Sequence, residues 1–424
     1  MNKLLNIKNS YKTGVLIVGG GTAGVAAALS VAEFEGEAII LEKYCHLGGQ
    51  ASLGLLDTVC GLPHSVGNEV HDLPSSRFAR KFLDKLAKSS STKIESIIDR
   101  QNNRLTFLPY LSEKYAELAQ EQLQKHKGIT ILTQSSLLSI RQDKQLAHQA
   151  KVRVRNQEVT ISFKSLLDCT GEATAVYMAG GETILPVRDQ SPGFLFKVKN
   201  VHADLFQLNT RLSLRRAIVK AVADGLLPPE CRSLSITPGS EYLDDFTFKL
   251  ALKPLSPDNG YVRQHLEVPR VVTELIKFFA SEIKGFETAQ LGQVSTFVGV
   301  RIGRRARGLY CLTREDVLSG RSFTDGVVRG TWPIEVWDNE ISPRIEQIKS
   351  DCGYEIPLRS LRCRQLKNVW VSGRCISADD EALASARVIG TSIATGWAAG
   401  VAAACQANKV PDAQMMEFLR GKGS

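Results

Sequence analysis

The apolar positions in residues 14–41 follow the pattern of a strand, a helix and a second strand. Residues 14–18 form a continuous apolar run of strand length, and a glycine-rich turn follows it. Residues 25–34 are rich in Ala, Leu and Val, and residues 38–41 form a second apolar run. Short apolar runs bounded by turn residues predict buried strands, and the longer Ala-rich segment predicts a helix. The start of the chain therefore predicts a βαβ unit.

The middle of the chain continues this pattern after an interruption. Residues 61–108 show no clear period, and we expect an insertion or loop there. Residues 110–125 have apolar side chains at helical spacing, and residues 129–132 form a short apolar run. Residues 151–155 and 159–163 alternate apolar and polar positions around an Asn-Gln turn, which predicts a β-hairpin.

A different pattern occupies residues 191–360, where we expect a substrate or cap domain. Residues 194–198, 246–252 and 294–300 are rich in β-branched and aromatic side chains and predict strands. Residues 211–223 and 271–283 predict helices. Mixed strands and helices without a new glycine motif predict an inserted, largely antiparallel α/β domain. Residues 1–190 and 361–424 are then expected to form the first domain together.

The turn after the first strand has the spacing of the dinucleotide-binding fingerprint. Gly19, Gly21 and Gly24 stand in a G-x-G-x-x-G arrangement that includes Thr22 and Ala23. Gly19 permits a tight turn, and Gly21 lets backbone N–H groups approach a pyrophosphate. Gly24 lets the helix pack close to the sheet, and the helix N-terminus offers unpaired donors to phosphates. We therefore expect these residues to bind a dinucleotide.

The residues after the second strand indicate which dinucleotide is bound. Glu42 is placed to accept hydrogen bonds from a ribose, and its charge argues against a 2′-phosphate. Lys43 follows, and then a Gly-Gly turn that ends at Gly49 and Gln50. The order GGGTAG, LEK and LGGQAS resembles FAD-binding flavoproteins of the glutathione-reductase-like class. The resemblance implies an α/β fold with a Rossmann-type FAD-binding domain, and FAD as the cofactor.

Two later motifs extend this resemblance. Residues 165–173 predict a buried strand that ends at Thr170 and Gly171, whose backbone contacts FAD in the resembled class. Residues 368–377 predict another strand that runs into a turn at Gly373 and Arg374. Aromatic hydroxylases of this fold have a Gly-Asp pair at this turn. The arginine here argues against a monooxygenase that forms a flavin hydroperoxide.

The last predicted helix spans residues 387–400, with Arg387 at its start and Gly390 and Thr391 in its first turn. In the resembled class this helix aims its N-terminus at the N1/O2 edge of the flavin, which stabilises the anionic reduced ring. Arg387 is expected to add to that effect.

A third motif places candidate substrate-binding residues in the inserted domain. The segments GVRIGRRARG, LTREDV and YEIPLRSL resemble the GVRxxRRxxG, LTxxDV and YxIPxRSL motifs of the FAD-dependent oxidoreductase family. Arg301 and Arg305 are four residues apart, so both can face one side of a strand and bind a carboxylate. The alternative is that they pair with acids of their own domain, such as Asp316 and Asp325.

The expected reaction is removal of a hydride from a small, carboxylate-bearing substrate at a C–N or C–O bond to flavin N5. Oxygen or another acceptor reoxidises the flavin, and Glu335 and His64 are the candidate bases. One alternative is a biosynthetic reductase or cyclase fed by a partner reductase. Another is a non-catalytic or RNA-associated flavoprotein. Attachment of the flavin through Cys45 or His46 also stays open.

The amino-acid composition limits the kind of protein and the partners that we expect. The 424 residues are 43% hydrophobic and 23% charged, as in an ordinary globular protein. The net charge of +9 comes with dispersed arginines, so we expect no nucleic-acid partner. Nine cysteines without a CxxC motif indicate a reduced cytoplasm and no metal site. The long apolar stretches are interrupted by glycines, so we expect no integral membrane segment.

Overall fold

The computed structural model describes residues 7–62, 73–98, 104–204, 207–240, 243, 245–254, 260–350 and 352–421. Its helices are, in chain order, α1 (Thr22–Glu33), α2 (Pro74–Ser90), α3 (Ser112–Gln124), α4 (Thr174–Met178), α5 (Leu208–Ala223), α6 (Gly260–Glu282), α7 (Arg314–Leu318), α8 (Leu358–Leu361), α9 (Asp380–Ala386), α10 (Ile389–Ala407) and α11 (Asp412–Arg420). Its strands are β1 (Ser10–Val18), β2 (Ala38–Leu41), β3 (Thr58–Val59), β4 (Glu95–Ile98), β5 (Arg104–Pro109), β6 (Ile129–Leu132), β7 (Ser135–Asp143), β8 (Leu146–Val154), β9 (Gln157–Asp168), β10 (Thr183–Ile184), β11 (Gly193–Lys199), β12 (Ser235–Ile236), β13 (Phe246–Ala251), β14 (Gln290–Val294), β15 (Arg305–Ala306), β16 (Gly326–Gly330), β17 (Ile334–Val336), β18 (Arg344–Glu346), β19 (Tyr354–Pro357) and β20 (Val369–Val371).

The central sheet is built around β1, which has a parallel neighbour on each side. β1 pairs with β2 and with β9, and β2 pairs in parallel with β6. The order is β6-β2-β1-β9-β8-β7. Parallel strands covered on both faces need apolar side chains at every position, which explains the uninterrupted apolar runs of β1 and β2. The βαβ unit predicted from the sequence is confirmed.

The long strand β9 has two partners along its other edge. Its first half pairs with β8 in the antiparallel hairpin predicted around the Asn-Gln turn. Its last three residues pair in parallel with β20, which comes from near the other end of the chain. The C-terminal segment therefore completes the sheet that the N-terminal segment begins, and the fold is mixed α/β.

Helices α1 and α10 pack together through small residues. A Cβ atom built on Gly396 would lie 2.2 Å from the Ala23 carbonyl oxygen, and one on Gly400 would lie 2.5 Å from that of Ala27. Residues 23–31 of α1 are buried, and so is nearly all of α10. Such buried helices need apolar or small residues on every side, which explains why neither sequence alternates with polar positions.

A second sheet, in the order β12-β13-β11-β14, carries the inserted region. Phe196 and Phe248 stack on one face of this sheet, with ring centroids 5.8 Å apart, and Phe279 of α6 packs on Phe248 at 5.6 Å. The strands predicted at 194–198 and 246–252 are confirmed. The strand predicted at 294–300 is wrong, because β14 ends at Val294 and the chain then makes a single bridge between Gly193 and Gly299.

Within residues 61–108, for which an insertion or loop is expected, α2 shows that residues 74–90 are not a loop. Phe78 of this helix lies against Trp397 of α10, with ring centroids 6.2 Å apart. Phe82 lies against Tyr115 of α3 at 5.5 Å. The helix is therefore part of the core that covers α10. The strands β3, β5 and β4 form a separate small sheet in that order.

The helix predicted from residue 387 is also corrected, because two helices meet there. α9 ends before Arg387, which caps it, and α10 begins at Ile389 after a bend of 95°. No single described helix is long and apolar enough to cross a membrane, and these two reach that length only as a bent pair.

Candidate functional site

The N-terminus of α1 opens towards free space. Gly19 has a φ of +103°, and a Cβ there would lie 2.5 Å from the Cys169 carbonyl oxygen. A Cβ on Gly24 would lie 1.9 Å from the Gly19 carbonyl oxygen, whereas one on Gly21 would meet nothing within 4 Å. No side chain caps the helix, and its first turn contains no acid. The uncapped N–H groups and the positive end of the helix dipole suit an anion.

Glu42 is fixed beside this turn by backbone donors. Its Oε2 accepts a hydrogen bond from the Gly20 N–H at 2.8 Å, and its Oε1 accepts one from the Tyr44 N–H at 2.9 Å. Burial raises the pKa of this carboxyl group, and the two backbone bonds oppose that effect. Each carboxylate oxygen keeps a lone pair that can accept a further bond. Lys43 is exposed, with Nζ 4.9 Å from the centroid of the Tyr44 ring.

The Gly-Gly turn lies directly against the fingerprint. Gly48 and Gly49 both have positive φ angles, of +105° and +55°. A Cβ on Gly49 would lie 3.3 Å from the Gly21 Cα, and the Gly48 N–H donates to the Gly20 carbonyl oxygen at 2.8 Å. The Gln50 side chain reaches the inserted region, because a Cβ on Gly299 would lie 3.4 Å from its Oε1.

The turn after β9 is held by a buried acid and a buried thiol. The Thr170 N–H and Oγ1 donate to Oδ1 of Asp168 at 3.0 and 2.7 Å. Gly171 has a φ of +78°, and its N–H donates to the Cys375 sulfur at 3.0 Å. Burial raises the pKa values of both Asp168 and Cys375, so the thiol is a structural acceptor and not a reactive thiolate.

Gly373 and Arg374 connect this turn with α1 and the inserted region. The Gly373 N–H donates to Oγ1 of Thr395 at 3.1 Å, and a Cβ on Gly373 would lie 3.1 Å from that of Ala23. Arg374 donates to the Val300 carbonyl oxygen at 2.6 Å and pairs with Glu172 at 3.4 Å.

The first turn of α10 faces residues 60 and 61. The Gly390 N–H donates to the Cys60 carbonyl oxygen at 3.0 Å, and a Cβ on Gly390 would lie 2.1 Å from the Gly61 carbonyl oxygen. Oγ1 of Thr391 is buried and has no hydrogen-bond partner among the described residues.

Glu335 is held by two indoles and lies beside Arg387. It accepts hydrogen bonds from Nε1 of Trp332 at 3.0 Å and of Trp337 at 2.7 Å. Nη2 of Arg387 donates to the Glu335 carbonyl oxygen at 2.9 Å. Burial acts to raise the pKa of Glu335, but Arg387, Lys249 and the indole donors outweigh it and hold the pKa below its ordinary value. The carboxylate is therefore ionised at neutral pH.

Arg301 and Lys249 both lie over Trp337. The Arg301 Cζ and the Lys249 Nζ are each 4.2 Å from the centroid of the Trp337 ring system. Arg301 is 8% exposed, and its Nη1 has no partner among the described residues. Burial and then the charge of Arg301 lower the pKa of Lys249 to about 8, against the opposing effect of Glu335.

The predicted pairing of Arg301 with Arg305 on one side of a strand is wrong. Arg305 is fully buried on the short strand β15, and its Nη2 pairs with Oδ1 of Asp380 at 2.7 Å. The acid partners considered from the sequence are also wrong. Asp316 pairs with Arg321 and completes the capping box of α7 with Thr313, and Asp325 pairs with Arg359. Arg305 therefore supports the fold at Asp380 and does not share a partner with Arg301.

The family model of FAD dependent oxidoreductases matches residues 14–418. The chain belongs to this family. Its cofactor is FAD, and it is an FAD-dependent oxidoreductase. No curated protein sequence matches the chain significantly.

Solved structures with a similar fold are flavoproteins of low sequence identity. BexE, studied for oxidation during BE-7585A biosynthesis, is 12% identical with a TM-score of 0.51, over 96% of this chain and 65% of that one. The p-nitrophenol 4-monooxygenase PnpA from Pseudomonas putida DLL-E4 is 11% identical with a TM-score of 0.49, over 98% and 82%. A geranylgeranyl bacteriochlorophyll reductase-like protein from Thermoplasma acidophilum is 14% identical with a TM-score of 0.47, over 97% and 83%.

The residues of this flavoprotein fit its cofactor. The uncapped N-terminus of α1 beside Gly21 suits a pyrophosphate, and the lone pairs of Glu42 suit a ribose. The unpartnered Oγ1 of Thr391 suits a polar edge of the flavin. The described residues contain no group of three His, Cys, Asp or Glu that could hold a metal ion.

Three further residues were considered from the sequence, one as a base and two as sites of flavin attachment. His64 lies outside the described residues, and Cys45 and His46 are exposed. Lys249 is absent from the sequence-based candidates. The local signal for it is weak, because a lysine that alternates with Phe and Leu on a strand is ordinarily a solvent-facing residue. Its place beside Arg301 depends on the pairing of β13 with β11.

Proposed function

We propose that the FAD-binding domain is glutathione-reductase-like and consists of residues 1–190 and 361–424, with residues 191–360 as the substrate domain. The pairing of β20 with β9 and the packing of α10 on α1 support this division. The antiparallel sheet with its separate Phe-rich core supports a distinct inserted unit.

The proposed FAD contacts follow the order of the cofactor's parts. The α1 N-terminus binds the pyrophosphate, and Glu42 binds the ribose of the adenosine half. The Gly-Gly turn, the turns after β9 and β20 and the first turn of α10 line the flavin half. The residues are Gly19, Gly21, Thr22, Ala23, Gly24, Glu42, Lys43, Gly49, Gln50, Thr170, Gly171, Gly373, Arg374, Arg387, Gly390 and Thr391.

The proposed reaction is hydride removal from a small carboxylate-bearing substrate at a C–N or C–O bond. The observation that carries it is Arg301, a buried guanidinium with an unpartnered Nη1 and no acid partner among the described residues. A buried cation is costly unless an anion pairs with it, and a guanidinium binds a carboxylate through two parallel hydrogen bonds. The substrate carboxylate would supply that partner and fix the position of the reacting carbon.

FAD supplies the hydride acceptor when it is bound. The protein's own groups position the substrate, exclude water and hold the proton. Of the two candidate bases, Glu335 is the one that the structure describes. Its carboxylate is ionised and can accept a proton, but the lowered pKa makes it a weak base. We infer that Glu335 also holds Arg387 and the two indoles in place.

The first test is an anaerobic titration of the flavin absorption with amino acids, hydroxy acids and amines. We expect a carboxylate-bearing compound to bleach the flavin, and its amide to do so at least about tenfold less efficiently, since a charged hydrogen bond contributes about 1.5–3 kcal/mol. Arg301→Ala should raise KM by a similar factor. Arg304→Ala is the matched control, because Arg304 lies over Tyr177 instead.

Bleaching that is indifferent to the carboxylate and to Arg301 would contradict the proposed substrate class. A flavin that only a partner reductase reduces would favour the alternative of a reductase or cyclase.

A further inference from the structure

Three cationic side chains converge on one carboxylate beside Trp337. Lys249 and Arg301 lie over the indole, and Arg387 is bonded to the backbone of Glu335. The charges act on one another, because Arg301 and Arg387 lower the pKa of Lys249 while Glu335 raises it. The cluster therefore holds three positive charges against one negative charge.

Arg387 and Glu335 compensate each other within this cluster. Arg387 has the largest charge effect on the pKa of Glu335, and Glu335 has the largest on that of Arg387. Lys249 and Arg301 are left with the same single carboxylate, Glu335, as their negative neighbour, and neither has an acid of its own. Neither makes a hydrogen bond or ion pair with any residue that the structure describes. The Arg301 side chain is buried, and Lys249 is partly buried. A buried cation and a partly buried one, both without a hydrogen-bonded acid, are destabilising, so they indicate a ligand that supplies the partners.

The two side chains approach each other at one place in the fold. A Cβ on Gly193 would lie 3.7 Å from Nη2 of Arg301 and 3.7 Å from Cδ of Lys249. The missing side chain of Gly193 thus leaves room where the two cations meet.

The strand that carries Lys249 fixes its direction. Phe248 and Leu250 point into the core beneath α5 and α6, so Thr247 and Lys249 lie on the opposite face of the sheet. On that face the lysine lies over Trp337 and is partly buried. The ammonium group is therefore directed into the candidate site by the pleat of β13.

We propose that the substrate is a small dicarboxylate, with one carboxylate bound by Arg301 and the other by Lys249. The proposal deepens the proposed function and rests on it. A monocarboxylate shared by both cations would leave one charge uncompensated, whereas a dicarboxylate compensates both. The fork of the guanidinium suits a bidentate carboxylate, and the ammonium binds the second as a point charge. The apolar indole lies beneath the carbon chain.

The test compares acids of equal length that differ by one carboxylate. Succinate is compared with butyrate, and glutarate with pentanoate, by calorimetry and by the change in flavin absorption of the oxidised holoenzyme. We expect each dicarboxylate to bind at least about tenfold more tightly, the effect of one additional charge-assisted hydrogen bond. Lys249→Gln should reduce dicarboxylate affinity to that of the monocarboxylate and change monocarboxylate affinity by less than about twofold.

Lys199→Gln is the matched control. Lys199 belongs to the neighbouring strand β11, is half exposed and pairs with Asp245. It should keep the full preference for dicarboxylates. Flavin content and melting temperature show whether each variant has folded.

A pH series of the wild type gives a second measurement that needs no variant. The free Lys249 ammonium has a pKa of about 8, so the preference for dicarboxylates should decline as the pH rises above 8. Pentanoate binding should change less over the same range. The titratable and charged groups that act on Lys249 are Arg301, Arg387, Glu335 and Cys60.

Equal affinity for both acids, or a preference that survives in Lys249→Gln, would overturn the proposal. This failure is distinguishable from that of the proposed function. If a monocarboxylate bleaches the flavin and dicarboxylates bind no more tightly, the dicarboxylate proposal is wrong and the proposed reaction stands. If dicarboxylates bind tightly but no amino or hydroxy dicarboxylate bleaches the flavin, the two-cation binding site stands and the proposed reaction is wrong.

Discussion

Gly21 differs from the other fingerprint glycines in what a side chain there would meet. A Cβ at Gly19 or Gly24 would collide with backbone atoms of the protein itself. One at Gly21 would meet no protein atom within 4 Å, and the φ of −69° is ordinary for any residue. Gly19 and Gly24 are thus required by the fold, whereas Gly21 keeps space free for something outside the chain.

Gly21→Ala should therefore separate folding from cofactor binding. We expect the melting temperature of the apoprotein to change little, because no contact within the protein is disturbed. The FAD dissociation constant should rise at least about tenfold, because the methyl group stands where the pyrophosphate approaches. Calorimetry of apoprotein and FAD measures the second effect. Gly24→Ala is the contrasting variant and should destabilise the apoprotein as well.

At the scale of helices and strands, the packing of α10 on α1 depends on two glycines. A Cβ at Gly400 would lie 2.1 Å from Oγ of Ser30 and 2.5 Å from the Ala27 carbonyl oxygen. The axes can approach this closely only because the side chain is absent. The contact places the first turn of α10 beside residues 60 and 61.

Gly400→Ala should lower the free energy of unfolding of the apoprotein by about 1–3 kcal/mol, the usual cost of overpacking a core. Urea denaturation measures the change. Gly21→Ala in the apoprotein is the control, because a Cβ there would meet no protein atom within 4 Å. An unchanged stability of Gly400→Ala would show that the two helices can separate without loss.

Elements with a local signal were predictable, and contacts between distant segments were not. The βαβ unit, the hairpin of β8 and β9 and the strand β20 follow from apolar runs and turn residues. Helix α2 was missed, although Phe78, Phe82 and Leu86 recur at helical spacing. The break at Arg387 was missed because the residues on both sides of it favour a helix, and tertiary packing decides the bend.

In the candidate site, too, local sequence motifs were predictable and contacts between distant residues were not. The glycines near the N-terminus were predictable, because their spacing is itself the signal. The partner of Arg305 is Asp380, separated from it by 75 residues, and no local pattern connects them. Lys249 meets Arg301 only through the pairing of strands and the room left at Gly193. Contacts of this kind depend on how the strands are paired, and the hydrophobic periodicity of the sequence does not determine that pairing.

At the scale of the whole molecule, the proposed cofactor contacts lie in two groups. One group, at α1 and Glu42, would bind the adenosine half and the pyrophosphate. The other, at the Gly-Gly turn and the first turn of α10, would bind the flavin. We expect the full stabilisation by the cofactor only when it contacts both groups of residues at once.

FAD should therefore raise the melting temperature of the apoprotein more than FMN does at the same concentration. A ligand at about 1,000 times its dissociation constant adds about 4 kcal/mol, and FMN lacks the adenosine contacts that give this affinity. Differential scanning calorimetry compares the two. Glu42→Gln should reduce the effect of FAD and leave that of FMN unchanged. An equal shift with both ligands would contradict the proposed role of Glu42.

The pairing of β20 with β9 has a consequence for how the protein is made. The ribosome releases α1 early, and its surface of small residues stays uncovered until α10 follows. The same delay applies to the last residues of β9, whose parallel partner β20 is translated much later. Uncovered apolar surfaces and strand edges of this kind are prone to aggregation while the intervening residues are translated. On the proposed contacts, the nascent chain cannot retain FAD until β20 and α10 have been translated and have packed against β9 and α1.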